Sequence, residues 1–163
     1  MVYRIFTEKK KELAAEARAL LSDINSLLQI KSVTDVRVIN RYDAQNITEE
    51  LFDYSVGTVF SEPQLDITYS ELEDDSAACF AVEYLPGQFD QRADSCAECI
   101  QLVSMAERPA VRTAKVCLLS GPVSAEELGR IKRYLINPVE SREAALEERA
   151  TLAENYPEPP DVA

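Results

Sequence analysis

Cys96 and Cys99 stand in the run Cys-Ala-Glu-Cys, the spacing of a redox dithiol or of half a zinc site. A redox pair needs a helix that opens directly after a strand, and a structural zinc needs a second pair of ligands. Cys79 and Cys117 stand singly in strand-like runs, and the chain has no histidine. A spacing of three inside an amphipathic run puts both thiols of the pair on one helical face, with Ala93, Ile100 and Val103. The reading is two small buried hydrophobes, reduced and metal-free.

Two polar clusters offer other chemistry. Leu-Pro-Gly-Gln-Phe-Asp-Gln-Arg-Ala-Asp, residues 85–94, crowds Gln88, Asp90, Gln91, Arg92 and Asp94 behind a Pro-Gly turn. The guanidinium fork of Arg92 suits a phosphate or a carboxylate, and the loop as a whole suits a docking surface. It equally suits a helix start, with Asp90 or Asp94 as the cap. The second cluster is Asn137, Pro138, Val139 and Glu140. There Asn137 either ends a helix or belongs to an interface. Asp90 and Glu83 are the carboxylates open to a small acid–base enzyme, but no nucleophile accompanies them.

The totals narrow the classes. Without histidine the commonest general base and metal ligand is missing, and neither standard Gly-rich phosphate loop occurs. A self-sufficient active site is therefore not expected. A net charge of -12 argues against nucleic acid and against an anionic membrane surface. No apolar run has the length of a membrane span, and Met-Val-Tyr-Arg-Ile-Phe-Thr-Glu-Lys-Lys-Lys lacks the order of a signal peptide. The expectation is a soluble, cytoplasmic protein with a real core, since 46% of residues are hydrophobic.

Periodicity supplies the elements that must hold these residues. Residues 2–6 alternate as a strand, and residues 8–30 read as one long helix with Leu13, Ala17, Leu20, Ile24, Leu27 and Leu28 as its stripe. A strand follows over Val-Thr-Asp-Val-Arg-Val-Ile-Asn-Arg-Tyr-Asp-Ala. Asn46, three before Glu49, marks the start of a helix that turns Phe52, Val56, Val59 and Phe60 inward and stops before Pro63. Residues 64–72 are extended, and residues 73–77 form an acidic turn. The cycle then repeats: a strand at 78–85, a helix at 93–106, and a strand over Ala-Val-Arg-Thr-Ala-Lys-Val-Cys-Leu-Leu-Ser. A helix boxed by Ser124 and Glu127 follows, carrying Leu128, Ile131 and Leu135 to Asn137-Pro138.

Glu50-Leu51 aligns with Glu127-Leu128 and Pro63 with Pro138, at offsets of 77 and 75. The expected fold is α+β: two βαβ-type, ferredoxin-like halves fused into a pseudo-dimer, with antiparallel sheets and helices on one face. The halves span 1–72 and 78–148. Residues 149–163, with three prolines in the last seven positions, read as an acidic linker to a missing downstream domain.

At Tyr-Leu-Ile-Asn-Pro-Val-Glu-Ser the chain resembles PurS, the small bridging subunit of bacterial phosphoribosylformylglycinamidine synthase. The matching positions are Leu135, Asn137, Pro138 and Val139, and more loosely Val59, Phe60, Glu62 and Pro63. Asp-Val-Arg-Val-Ile-Asn-Arg-Tyr-Asp-Ala (35–44) is similar to that family's Asp-Val-Arg strand. Over residues 1–148 the chain looks like the N-terminal domain of the long single-chain enzyme of the PurL type, in which two copies of the small subunit are fused. Ser141 and Arg142 depart from the family's Ile-Glu continuation, the first copy has Ser-Glu-Pro, and Ser-Arg-Glu-Ala-Ala-Leu could run on as helix where the family has a strand.

The resemblance implies a ligase of purine biosynthesis, a glutamine amidotransferase that uses ATP and Mg²⁺ outside this segment. It implies a non-catalytic bridging scaffold that helps couple the glutaminase and synthetase domains of the same chain along an ammonia channel. The isolated segment would be a monomer or weak dimer. Gln88, Asp90, Gln91, Arg92, Asn137, Pro138, Val139 and Glu140 would lie at an interface or near substrate. The alternative is a free-standing regulatory or small-ligand-binding α+β domain without catalytic activity.

Overall fold

Strand alternation sets one residue of each pair toward the helices and the next away from them, and the long central strands among the described residues follow it. The computed structural model describes residues 2–71, 78–85, 88–138 and 141–144. Its elements are β1 (Tyr3–Lys9), a 3₁₀ turn (Lys11–Leu13), α1 (Ala15–Ser26), β2 (Asp35–Gln45), α2 (Glu49–Val56) and β3 (Asp66–Tyr69). β4 (Ala78–Tyr84), α3 (Gln91–Ser104), β5 (Ala110–Ser120), α4 (Ala125–Leu135) and β6 (Ser141–Ala144) follow. The fold is α+β: a six-stranded sheet in the order β3-β1-β2-β5-β4-β6, every neighbour antiparallel, with four α-helices among the described residues. No helix is long and apolar enough to cross a membrane among these residues.

The expected plural sheets are one. β2 and β5 pair along their whole length, from Asp35↔Ser120 to Gln45↔Ala110. Two three-stranded sheets would each leave a long apolar strand edge unpaired, and joining those edges removes both. The strands also recur at a constant spacing: Tyr3 and Ala78, Asp35 and Ala110, and Asp66 and Ser141 begin equivalent strands 75 positions apart. Pairing follows suit, with Tyr3↔Ala44 answered by Ala78↔Leu119, and Phe6↔Tyr69 by Ala81↔Ala144.

Helix starts follow local chemistry. The Thr48 hydroxyl accepts from Leu51 N at 3.2 Å, so Thr48 rather than Asn46 caps α2. Asn46 instead takes a left-handed backbone, φ 62°, which Asn tolerates. Ser124 and Glu127 form the full capping box of α4. The long helix expected over residues 8–30 is shorter. Residues 7–9 pair with β2 and β3 instead, held by Lys9–Asp66 at 2.9 Å and by Arg37 on Glu8. Leu13 and Leu27 consequently lie exposed, outside the buried stripe of Ala17, Leu20 and Ile24.

α2 ends at Val56, short of Pro63, because Ser55 O accepts from Val59 N and Phe60 N and turns the chain so that Phe60 enters the core. α4 ends at Leu135, with Ile136 already extended before Asn137-Pro138. Residues 141–144 are strand, not helix. The acidic turn at 73–77, the Pro86-Gly87 turn, Val139, Glu140 and the linker at 149–163 lie outside the described residues.

Two apolar cores fill the space between sheet and helices, and each draws on both halves of the sequence. Leu20 and Ile24 of α1 meet Ile131 of α4 over Val36, Phe80, Cys117 and Leu119. Phe52 of α2 meets Cys96 and Ile100 of α3 over Ile5, Tyr42 and Ala44. Polar contacts repeat the exchange: Ser32 Oγ donates to Glu127 at 2.9 Å, Arg130 to the Leu28 carbonyl at 2.7 Å, and the Tyr134 hydroxyl to Asp23 at 3.0 Å. Gly121 closes the strand end beside them. Its φ is +109°, and a Cβ there would sit 2.0 Å from the Ser32 carbonyl oxygen, so only glycine fits.

Candidate functional site

Between the two cores the helix-facing side of the sheet turns polar. Asn40 of β2 and Lys115 of β5 are direct partners across the central seam. Each is engaged by the second residue of a long helix from the other half: Lys115 Nζ by Glu16 of α1, and Asn40 Oδ1 by Arg92 of α3 at 2.6 Å. The two long helices thus point their N-termini at the middle of the sheet.

Beside this waist lies a cleft of about 610 Å³, with Asp90, Gln91, Arg92 and Ser95 of the α3 start on one wall and Leu135 and Ser141 on the other. Thr113 and Lys115 form part of the lining from the sheet. The first polar cluster therefore lines this cavity through Asp90, Gln91 and Arg92, whereas Asn137 and Pro138 are not part of its lining, and Asn137 is tied to it only by its hydrogen bonds with Ser141.

Asp90 is a structural fixture of this wall. Its carboxylate accepts from Ala93 N at 3.0 Å, from Thr113 N at 3.0 Å and from the Thr113 hydroxyl at 2.7 Å, capping α3 and tying it to β5. Asp94 does not cap; it pairs with Arg108. Gln88, Gln91 and Arg92 are exposed. Asn137 and Pro138 are also exposed, and Asn137 is held by Ser141, whose hydroxyl accepts from Asn137 N and donates to its carbonyl, each at 3.0 Å. Val139 and Glu140 lie outside the described residues.

Glu83 also lines the cleft, but its side chain points to the other side of the sheet from Asp90. It pairs opposite Ala114, on the side away from the helices, and there meets Arg142 at 3.3 Å. Asp90 bonds Thr113, on the helix side, so the two carboxylates do not form an acid–base pair. The sequence reading missed Asn40, Ser95, Thr113 and Lys115. For Asn40 and Lys115 a signal existed: each is a polar residue in the inward phase of an otherwise apolar alternation.

The thiols divide in two. Cys96 is buried among Phe52, Ile100 and Tyr42, and burial pushes its pKa up to about 12. Cys99 is exposed, and so is Val103, because Ala97 and Ile100 take the inward positions beside Ala93 and Cys96. Cys96 stands at one edge of the stripe centred on Ala93, Ala97 and Ile100, and three further residues carry Cys99 about 60° past that edge. Cys117 is buried and likewise raised to about 12 by desolvation. No group of three or more His, Cys, Asp or Glu that could hold a metal occurs among the described residues.

No family model matches the chain, and no curated protein matches it.

Proposed function

We propose that residues 1–148 are two fused copies of one βαβαβ unit, acting as the N-terminal bridging scaffold of a phosphoribosylformylglycinamidine synthase. The observation that supports this reading is the constant 75-position recurrence of strands and of their pairing register. A fused pseudo-dimer is the architecture that the family resemblance implies. Equivalent edges of the two copies join at the central seam, as in an isologous dimer. The domain carries no chemistry of its own. It holds the glutaminase and the ATP- and Mg²⁺-using synthetase domains in register for ammonia transfer, and the exposed Gln91 and Arg92 of its cleft, with Asn137 outside the cleft, meet a neighbouring domain.

The test separates binding from chemistry. The purified 163-residue chain should turn over neither glutamine nor ATP, and it should bind the rest of the long polypeptide when that is prepared without residues 1–148. Turnover by the chain alone, or no association, would contradict the proposal. The cleft favours a second reading, a regulatory or small-ligand-binding domain, because about 610 Å³ is the size of a small-molecule site. Saturable binding of a metabolite to the isolated chain, blocked by Ser95→Trp, would support that reading instead.

A further inference from the structure

The cleft beside the waist has an equivalent place in the first half of the chain, and the two places are furnished differently. The buried stripes of the long helices align residue for residue: Ala17 with Ala93, Leu20 with Cys96 and Ile24 with Ile100. On that register Ala14, Ala15, Glu16 and Ala19 answer Asp90, Gln91, Arg92 and Ser95. α1 starts with no side-chain cap bond, so a helix start at this place in the fold does not call for polar side chains. Asp90 serves as a cap in α3, but Gln91, Arg92 and Ser95 do not. On the sheet Val38 answers Thr113, and Asn40 answers Lys115. The chain beyond the later helices shows the same contrast. Glu62 N donates to Asp66 as Asn137 N donates to Ser141, and two residues before these donors Phe60 answers Leu135. Phe60 is 2% exposed and packs on Tyr42 and Phe52, whereas Leu135 is half-buried in the wall of the cleft.

The second-half residues leave hydrogen-bond donors over. Of the five N–H groups on the Arg92 guanidinium, one goes to a described residue, Asn40, at 2.6 Å. Of the three on the Lys115 ammonium, one goes to Glu16. The exposed Ser95 hydroxyl lines the cleft and makes no hydrogen bond to a described residue. The acceptors nearby are taken: Asp90 receives three donors, and the Ser141 hydroxyl is engaged with Asn137. Glu83 turns its carboxylate to the far side of the sheet, onto Arg142. Val82, Tyr84 and Leu135 add apolar surface to the same lining.

We propose that the cleft binds a small organic oxyanion, a carboxylate or a phosphate ester carried on an apolar body. Arg92, Lys115 and Ser95 donate to the charged group, which a guanidinium fork and an ammonium both suit. Val82, Tyr84 and Leu135 cover the apolar part. The assignment rests on the reading of the cleft as a small-molecule site and is independent of the bridging role.

The test uses the full 163-residue chain with phenyl phosphate, benzoate, inorganic phosphate and benzylamine as probes. In an amide-resolved NMR titration, phenyl phosphate or benzoate should saturate, with shifts at Ser95, Thr113 and Lys115, and the tighter of the two identifies the oxyanion. Inorganic phosphate should bind about tenfold more weakly than phenyl phosphate, because it leaves the apolar lining uncovered. Arg92→Gln and Lys115→Gln should each weaken the bound anion by about tenfold, with circular dichroism unchanged. Asn40→Ala removes the waist bond of Arg92 but keeps its guanidinium at the cleft, so affinity should stay within about twofold. An equal loss in Asn40→Ala would make Arg92 a purely structural residue and overturn the proposal. Saturable benzylamine binding that Ser95→Trp blocks, with neither anion bound, would overturn the oxyanion class and keep the small-molecule reading. No saturable binding by any probe would overturn the class and count against that reading as well.

Discussion

Ile131→Ala tests whether the two halves of the chain are energetically one body. Ile131 lies on α4, fully buried, and its neighbours Leu20 and Ile24 come from α1, more than a hundred positions earlier. The substitution removes buried aliphatic carbons and leaves a cavity that a sheet-backed core closes only partly. For such sites the loss is about 2–5 kcal/mol, and complete burial places this one near 3–4 kcal/mol. In a chain of this size each kcal/mol lowers the melting temperature by about 2–4 °C, so a fall of roughly 10 °C is expected. Calorimetry should show a single transition moved down. Amide hydrogen exchange should rise in α1 as well as in α4, because the cavity is common to both. Two separated transitions, or faster exchange confined to residues after 78, would refute the shared core.

Four further outcomes follow from the same contacts. Asp90→Ala strips the cap of α3 and two bonds to Thr113, and should destabilise the fold by about 2–3 kcal/mol in denaturant titration. Gly121→Ala forces a Cβ into the Ser32 carbonyl, and should cost more than the roughly 1 kcal/mol of an ordinary glycine replacement. Near pH 8 a thiol reagent should label Cys99 fast and Cys96 and Cys117 slowly, since burial holds both of the latter near pKa 12.

Stability should also fall in alkali. The Tyr42 phenol is raised from 10.0 to about 12 by burial, so the folded state keeps a proton that the unfolded state releases. Its contribution is complete below the unfolded pKa and lost as pH climbs through about 12. It amounts to about 2 kcal/mol, and Tyr42→Phe should flatten that part of the curve.

Element order and cap chemistry were legible because they are local. Ser124 with Glu127, and Asp90 ahead of the α3 stripe, sit within one helical turn of what they bond. The long helix at residues 8–30 misled, because Thr7, Glu8 and Lys9 find partners on β2 and β3 that lie far away in sequence. Pairing of β2 with β5 was equally out of reach, since alternation fixes the face of a strand but not its neighbour. At the site the two polar clusters were visible as composition. The cleft that the first of them lines, and the crossing of Glu16 and Arg92 to the opposite half, depend on the seam between those strands.

The proposed bridging role is tested most directly in the synthase polypeptide that the proposal implies, with and without residues 1–148, by measuring amidine formation from glutamine and from free ammonia in parallel. The account predicts that deletion abolishes the glutamine-dependent rate while ammonia still supports synthesis. It also predicts that Pro138→Ala, at an exposed position between α4 and β6, lowers the glutamine rate selectively with little change in melting temperature. Equal losses with both nitrogen sources, or no loss with either, would contradict it.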